Sequence, residues 1–120
     1  MARILILDDN HELRGAMRTA LELEKFVVLT GGSGREGLAL MENEPFDAVI
    51  CDVRMPDGDG FEVLQQVRSD PRWQGMLFIL TGGSKEDQPP AIAGGADEFL
   101  LKPFGMYDLI RRLKAHFGNT

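Results

Sequence analysis

The sequence predicts an α/β fold in which helices cover both faces of a five-stranded parallel sheet. Five short apolar runs, separated by segments with helical periodicity and contained in 120 residues, support this prediction. The runs lack strict alternation of apolar and polar residues, which is typical of strands covered on both faces. Strands that alternate with helices in this way are joined by right-handed crossovers into a parallel sheet.

Each apolar run predicts one strand. The five runs are Arg3–Leu7, Phe26–Thr30, Ala48–Cys51, Met76–Leu80 and Glu98–Leu101. The length of the chain suits a flavodoxin-like, doubly wound sheet with strand order 2-1-3-4-5. In that order the first and third strands are neighbours, and ligands bind at the carboxyl ends of the strands.

Four of the segments around these strands have helical patterns. The first helix is predicted from an apolar face made by Leu13, Ala16, Met17, Ala20 and Leu21. The fifth is predicted from a face made by Met106, Leu109, Ile110, Leu113 and Phe117. The second helix is expected over Gly34–Asn43. The third is expected over Gly58–Ser69, after a segment rich in turn residues.

The fourth helix is expected to be short or irregular. A proline disfavours helical geometry in the residue before it, so Pro90 acts on Pro89 and Pro89 acts on Gln88. We therefore expect the helix to start only near Pro90. Gly94 and Gly95 follow and favour its termination, which leaves one or two turns at most.

The composition is that of an ordinary globular protein, and we expect residues 1–120 to form one domain. Hydrophobic residues make up 43% of the chain and charged residues 27%. Thirteen basic residues stand against nineteen acidic ones, so the net charge is -6. Affinity for a phosphate backbone needs clustered Lys and Arg, and we therefore expect no direct binding to nucleic acid.

Cysteine content and the lengths of the apolar runs predict a cytoplasmic location. Cys51 is the one cysteine of the chain, which excludes an internal disulfide and suits a reducing compartment. Its apolar surroundings favour a small buried hydrophobe over a reactive thiol. The opening apolar run is too short for a signal peptide, and no run is long enough to span a bilayer. We therefore expect no membrane insertion.

Three carboxylates follow two of the predicted strands. Asp8 and Asp9 come directly after the first strand, and Asp52 follows the third. Because those strands are predicted neighbours, the three acids converge at one sheet edge, where they repel one another and attract a hard divalent cation. Two simpler interpretations remain open: Asp8 caps the first helix, or Asp52 initiates a turn.

These acids and three further elements resemble the receiver domain of two-component response regulators. The matching elements, in order along the chain, are Asp8-Asp9, Asp52, Met55-Pro56-Asp57-Gly58, Thr81 and Lys102-Pro103. The resemblance extends from Ile4 to about Phe117, nearly the whole chain. Each element alone is a weak signal, but five in order at matching strand ends are specific.

The resemblance implies a role for each site residue. Asp52 would be the phosphoacceptor. Mg²⁺ would be held by carboxylates and one backbone carbonyl, those of Asp8, Asp9, Asp52 and Arg54. Lys102 and the hydroxyl of Thr81 would contact the phosphoryl group, and the Lys102-Pro103 peptide bond is expected to be cis.

The resemblance also implies a conformational switch and a set of partners. Phe99 matches the switch aromatic that responds to Thr81, although an ordinary core phenylalanine explains it equally well. The phosphoryl donor would be a histidine kinase or a histidine phosphotransfer protein. The phosphorylated chain would act on a downstream protein target or output domain. Such a domain is regulatory and assists its own phosphorylation and dephosphorylation without being an enzyme in the usual sense.

Two other function classes compete with this interpretation. A small aspartyl-phosphate phosphatase also uses a strand-end Asp, Mg²⁺ and Lys, but those enzymes have a second acid where this chain has Arg54. A pseudo-receiver that only binds partners is disfavoured by the complete set of acids, Thr and Lys.

A dinucleotide site is suggested by the Gly-x-Gly-x-x-Gly pattern of residues 32–37. That pattern follows the edge strand, so we expect the glycines to serve a tight loop and helix packing.

Overall fold

The computed structural model describes residues 1–118. Within that range, five parallel strands form one sheet in the order β2-β1-β3-β4-β5. The strands are β1 (Arg3–Leu7), β2 (Val27–Gly31), β3 (Ala48–Asp52), β4 (Leu77–Gly82) and β5 (Glu98–Leu101). The predicted flavodoxin-like fold is confirmed, with β2 and β4 displaced by one or two residues from their predicted limits. β3 extends one residue beyond its predicted end, to Asp52, and the third helix begins at Gly60 rather than at the predicted Gly58.

Five α-helices connect or follow the strands within the described range. They are α1 (His11–Leu23), α2 (Gly34–Asn43), α3 (Gly60–Ser69), α4 (Gln88–Ala93) and α5 (Met106–Phe117). Polar side chains accept hydrogen bonds from the first turns of three of them: Asn10 caps α1, Ser33 caps α2 and Asp59 caps α3.

The core consists of two layers, one on each face of the sheet. Successive strand residues point to opposite faces, so Ile4 and Ile6 of β1 pack with α1 and α5. Leu5 and Leu7 pack on the other face, with residues from α2, α3 and α4. Burial on both faces explains why the strand sequences lack alternation.

The fourth helix is short, as predicted, but the predicted start near Pro90 is wrong. The helix begins at Gln88, whose backbone is helical, with φ -64° and ψ -51°. A 3-10 turn over Lys85–Asp87, capped by the Ser84 side chain, precedes it. Both prolines lie in the first turn, where a missing N–H costs no hydrogen bond within the helix. That position overrides the preference against helical residues before proline.

The glycines of residues 32–37 serve packing, as expected. A Cβ on Gly34 would lie 2.2 Å from the carbonyl oxygen of Gly58, and one on Gly37 would lie 2.3 Å from the Leu7 side chain. The loop also closes on itself, because the Glu36 side chain accepts a hydrogen bond from the backbone N–H of Gly32 at 2.6 Å. Close contact between α2 and its neighbours therefore requires these residues to lack side chains.

Among the helices of residues 1–118, none has the length and apolar character needed to cross a membrane.

Candidate phosphoacceptor site

Neighbouring strands bring the three predicted acids together. β1 lies directly beside β3, so Asp8 and Asp9 emerge next to Asp52 at the carboxyl edge of the sheet. Each of the three offers a carboxylate oxygen within 4.8 Å of the others. Asp8 is 1% exposed and Asp52 is 6% exposed, whereas Asp9 faces solvent. The expected convergence of acids is therefore present.

Asp8 does not cap the first helix. The cap is Asn10, which accepts a hydrogen bond from the N–H of Leu13 at 3.1 Å. The Oδ1 atom of Asp8 instead accepts one from the backbone N–H of Asn10 at 2.8 Å. This contact leaves Oδ2 of Asp8 directed at the acidic cluster, where it accepts a hydrogen bond from Lys102.

Lys102 supplies the positive charge inside the cluster. Its Nζ lies 2.9 Å from Oδ2 of Asp8 and 3.3 Å from Oδ2 of Asp52. β4 separates β5 from β3, so the long side chain of Lys102 extends past the end of one strand to make these contacts. The Lys102-Pro103 peptide bond is cis, as expected.

Burial and charge shift the pKa values of both partners. Burial raises the pKa of Asp52, and the negative charge of Asp8 raises it further, against the opposing effect of Lys102. Burial by itself would lower the pKa of Lys102, but its hydrogen bond to Asp8 and the charge of Asp52 produce a net rise. Lys102 therefore stays protonated at neutral pH.

The chemistry of the donor set fits Mg²⁺. Three carboxylates and one ammonium leave an excess of two negative charges in the cluster. Oxygen donors and an excess negative charge are what a hard divalent cation requires. Two of the carboxylates are buried, so water compensates their charge poorly and a bound cation would relieve the repulsion.

Comparison with known proteins identifies the family. A sequence model described as "Response regulator receiver domain" matches residues 4–114. The chain belongs to this family. Similar proteins include the transcriptional regulatory protein TcrA of Mycobacterium tuberculosis, which is 35% identical over 94% of this chain and 45% of its own length. The response regulator MprA of Mycolicibacterium vanbaalenii is 35% identical over 98% of the chain and 51% of its own length.

Solved structures agree with this assignment. The chemotaxis response regulator CheY4 of Vibrio cholerae is 31% identical, with a TM-score of 0.90 over 96% of this chain and 98% of CheY4. The beryllofluoride-activated DrrB receiver domain is 25% identical, with a TM-score of 0.87 over 98% of this chain and 97% of DrrB. The receiver chain spans about half the length of the curated relatives it matches.

The two predicted switch residues of this receiver domain lie on adjacent strands. Thr81 belongs to β4, directly across from Asp52 of β3, and is 1% exposed. Phe99 of β5 pairs with Leu80, the residue before Thr81, and is 8% exposed. The ring therefore belongs to the core in this structure, and its role as a switch remains a prediction.

Arg54 makes a contact that sequence reasoning missed. Its side chain is 74% exposed, and Nη2 lies 3.3 Å from Oδ1 of Asp87. Asp87 ends the 3-10 turn before α4 and is buried. The proximity of Asp87 to the site depends on packing between distant segments, so its local sequence offered no signal beyond an acid near a proline pair.

Proposed function

We propose that this receiver domain accepts a phosphoryl group on Asp52 from a phosphohistidine donor, in a reaction that requires Mg²⁺. The observation that supports this most strongly is the buried Asp52 carboxylate, held 3.3 Å from the Lys102 ammonium beside Asp8. Such a carboxylate is a suitable nucleophile toward a phosphorus atom that already bears a good leaving group.

The residues divide the work of phosphoryl transfer. A carboxylate oxygen of Asp52 forms a bond to phosphorus as the bond from phosphorus to the donor's imidazole nitrogen breaks. The imidazole leaves with that electron pair and takes up a proton. Lys102 offsets negative charge on the phosphoryl oxygens, and the Thr81 hydroxyl donates a hydrogen bond to one of them.

Mg²⁺ would be held by Asp8, Asp9, Asp52 and the backbone carbonyl of Arg54. When bound, the cation reduces the repulsion between the carboxylates and the incoming phosphoryl dianion. Asp8 and Asp52 are buried and oriented by Lys102, whereas exposed Asp9 is free to turn toward the cation.

The signal would pass from the phosphoryl group to the surface through Thr81 and Phe99. Movement of the Thr81 hydroxyl toward phosphorylated Asp52 changes the end of β4, and Phe99 packs on that strand. The donor would be a histidine kinase or a histidine phosphotransfer protein, and the recipient a downstream protein or output domain. The named relatives are regulators about twice as long as this chain, which supports such an arrangement.

Intact mass spectrometry after incubation with acetyl phosphate and Mg²⁺ tests the proposal. The expected result is one added phosphoryl group, lost in the Asp52→Asn variant and in metal-free buffer. Full labelling of Asp52→Asn would assign the acceptor to another residue. Labelling that is unchanged without metal would remove Mg²⁺ from the reaction.

A further inference from the structure

Asp87 is a buried carboxylate with incomplete pairing. The residue is 8% exposed, and its Oδ2 atom is the one buried side-chain oxygen or nitrogen within residues 1–118 that has no hydrogen-bond partner. Its Oδ1 atom contacts Arg54 at 3.3 Å. A buried carboxylate is costly unless it is paired, and the guanidinium of Arg54 is the cation that contacts it.

Asp87 lies at the end of β4, next to Gly82, the residue that follows Thr81. A side chain on Gly82 would begin 3.3 Å from Oδ2 of Asp87 and 3.3 Å from the ring edge of Phe99. Because Gly82 has no side chain, the Asp87 carboxylate fits against the end of β4. Asp87 therefore lies beside the residue that follows Thr81, and it directly precedes α4.

Arg54, the partner of Asp87 in this ion pair, follows Asp52 by two residues. Its side chain is 74% exposed and holds Asp87 through a single long hydrogen bond, so the pair is weak. A phosphoryl group on Asp52 would present three charged oxygens to the same guanidinium. Arginine binds phosphate oxygens in a bidentate manner, which makes the phosphoryl group the stronger partner.

We propose that Asp87 and the phosphoryl group on Asp52 compete for the guanidinium of Arg54. This inference rests on the proposed role of Asp52 as phosphoacceptor and makes Asp87 a positioning residue that weakens retention of the phosphoryl group. When Arg54 moves to the phosphoryl oxygens, the Asp87 carboxylate loses its cation and turns toward water. The 3-10 turn that contains Asp87 leads directly into α4, so phosphorylation alters the start of that helix.

Calorimetric titration with beryllofluoride and Mg²⁺ tests the competition, because beryllofluoride occupies the place of a phosphoryl group. Asp87→Asn should bind beryllofluoride up to about fivefold more tightly than the unaltered chain, because the Arg54 side of the pair is exposed and screened by solvent. Arg54→Ala should bind more weakly. Adding Asp87→Asn to Arg54→Ala should then change nothing, because the group competed for is gone.

Glu86→Gln is the matched control. Glu86 is exposed and adjacent to Asp87 on the same turn, so its substitution removes the same charge without touching Arg54. Equal tightening in Glu86→Gln and Asp87→Asn would show a general charge effect and overturn the proposal. Tightening by Asp87→Asn that persists in the Arg54→Ala background would overturn it too.

Thermal unfolding without metal provides a second readout of the pair. Arg54→Ala leaves the Asp87 carboxylate buried without a cation and should lower the melting temperature by about 2–5 °C. In a chain that already carries Asp87→Asn, Arg54→Ala should no longer lower the melting temperature. Failure of the proposed function is distinguishable: a chain that takes up neither beryllofluoride nor a phosphoryl group overturns both proposals. Normal beryllofluoride binding with no tightening in Asp87→Asn overturns only this one.

Discussion

Substituting the candidate phosphoacceptor, Asp52→Asn, should stabilise the metal-free protein at pH 7. The Asp52 carboxyl group is only 6% exposed, so its charged form is poorly hydrated. With an effective dielectric constant of about 20, its attraction to Lys102 at 3.3 Å is about 5 kcal/mol. Its repulsion from Asp8, at a separation within 4.8 Å, is at least about 3.5 kcal/mol.

These two terms nearly cancel, so the cost of removing the Asp52 charge from water decides the sign. That cost is several kcal/mol for a buried ion, which exceeds the small remaining attraction. The raised pKa of Asp52 agrees, because burial and the charge of Asp8 outweigh the effect of Lys102. Since Lys102 keeps its contact with Asp8, we expect Asp52→Asn to increase the free energy of unfolding by about 1–3 kcal/mol.

The stability gained by Asp52→Asn should decrease as the pH is lowered. The folded pKa of Asp52 lies above its ordinary value of 3.8, so the folded state binds this proton more tightly than the unfolded state. The ionised Asp52 carboxylate therefore destabilises the folded state fully at pH values above the raised pKa and not at all below 3.8. The advantage of Asp52→Asn should therefore shrink as the pH falls through the raised pKa.

Urea unfolding followed by the fluorescence of Trp73, in buffer with EDTA, measures this difference. Asp57→Asn is a suitable control, because Asp57 is exposed and its φ of 52° is one that Asn accepts readily. The control should change stability by no more than about 0.5 kcal/mol. An Asp52→Asn variant that is less stable than the unaltered chain at pH 7 would refute the reasoning.

Three further outcomes are expected. In thermal unfolding with increasing Mg²⁺, the metal should raise the melting temperature, and Asp9→Asn should remove most of that rise. Without metal, Asp9→Asn should change the free energy of unfolding by no more than about 0.5 kcal/mol, because Asp9 is exposed. Gly34→Ala should lower the free energy of unfolding in urea by at least about 2 kcal/mol, because the added Cβ meets the Gly58 carbonyl. Gly15→Ala is the control: its Cβ enters open space, so it should stabilise α1 by up to about 1 kcal/mol. Burial raises the pKa of the Cys51 thiol, so iodoacetamide should label it only after unfolding, and rapid labelling of the folded protein would contradict its burial.

Most of the fold could be predicted because local patterns and strand burial agree. The limits of β1, β5 and α2 match the predicted ones. The predicted limits of β2 and β4 were displaced by one or two residues, because strand ends depend on hydrogen bonds to neighbouring strands rather than on local hydrophobicity. The start of α4 was misplaced for a related reason: a capped 3-10 turn leads the chain into helical geometry before both prolines.

The acidic part of the site was predictable from strand ends. Asp8 and Asp9 follow β1 and Asp52 ends β3, the fold class specifies the order of these strands, and parallel strands end at one edge. The contacts of Arg54 were not predictable in the same way. The sequence left its guanidinium either over the phosphoryl group or in solvent, and the structure pairs it with Asp87.

The sequence by itself determined the fold class, the acidic edge of the sheet and the set of residues available for phosphoryl chemistry. These follow from short-range periodicity and from which residue types end each strand. Only the tertiary structure decided that Lys102 contacts both Asp8 and Asp52, and that Asp87 is buried beside Arg54. Such contacts join residues far apart in the chain, and packing of the helices and loops onto the sheet creates them.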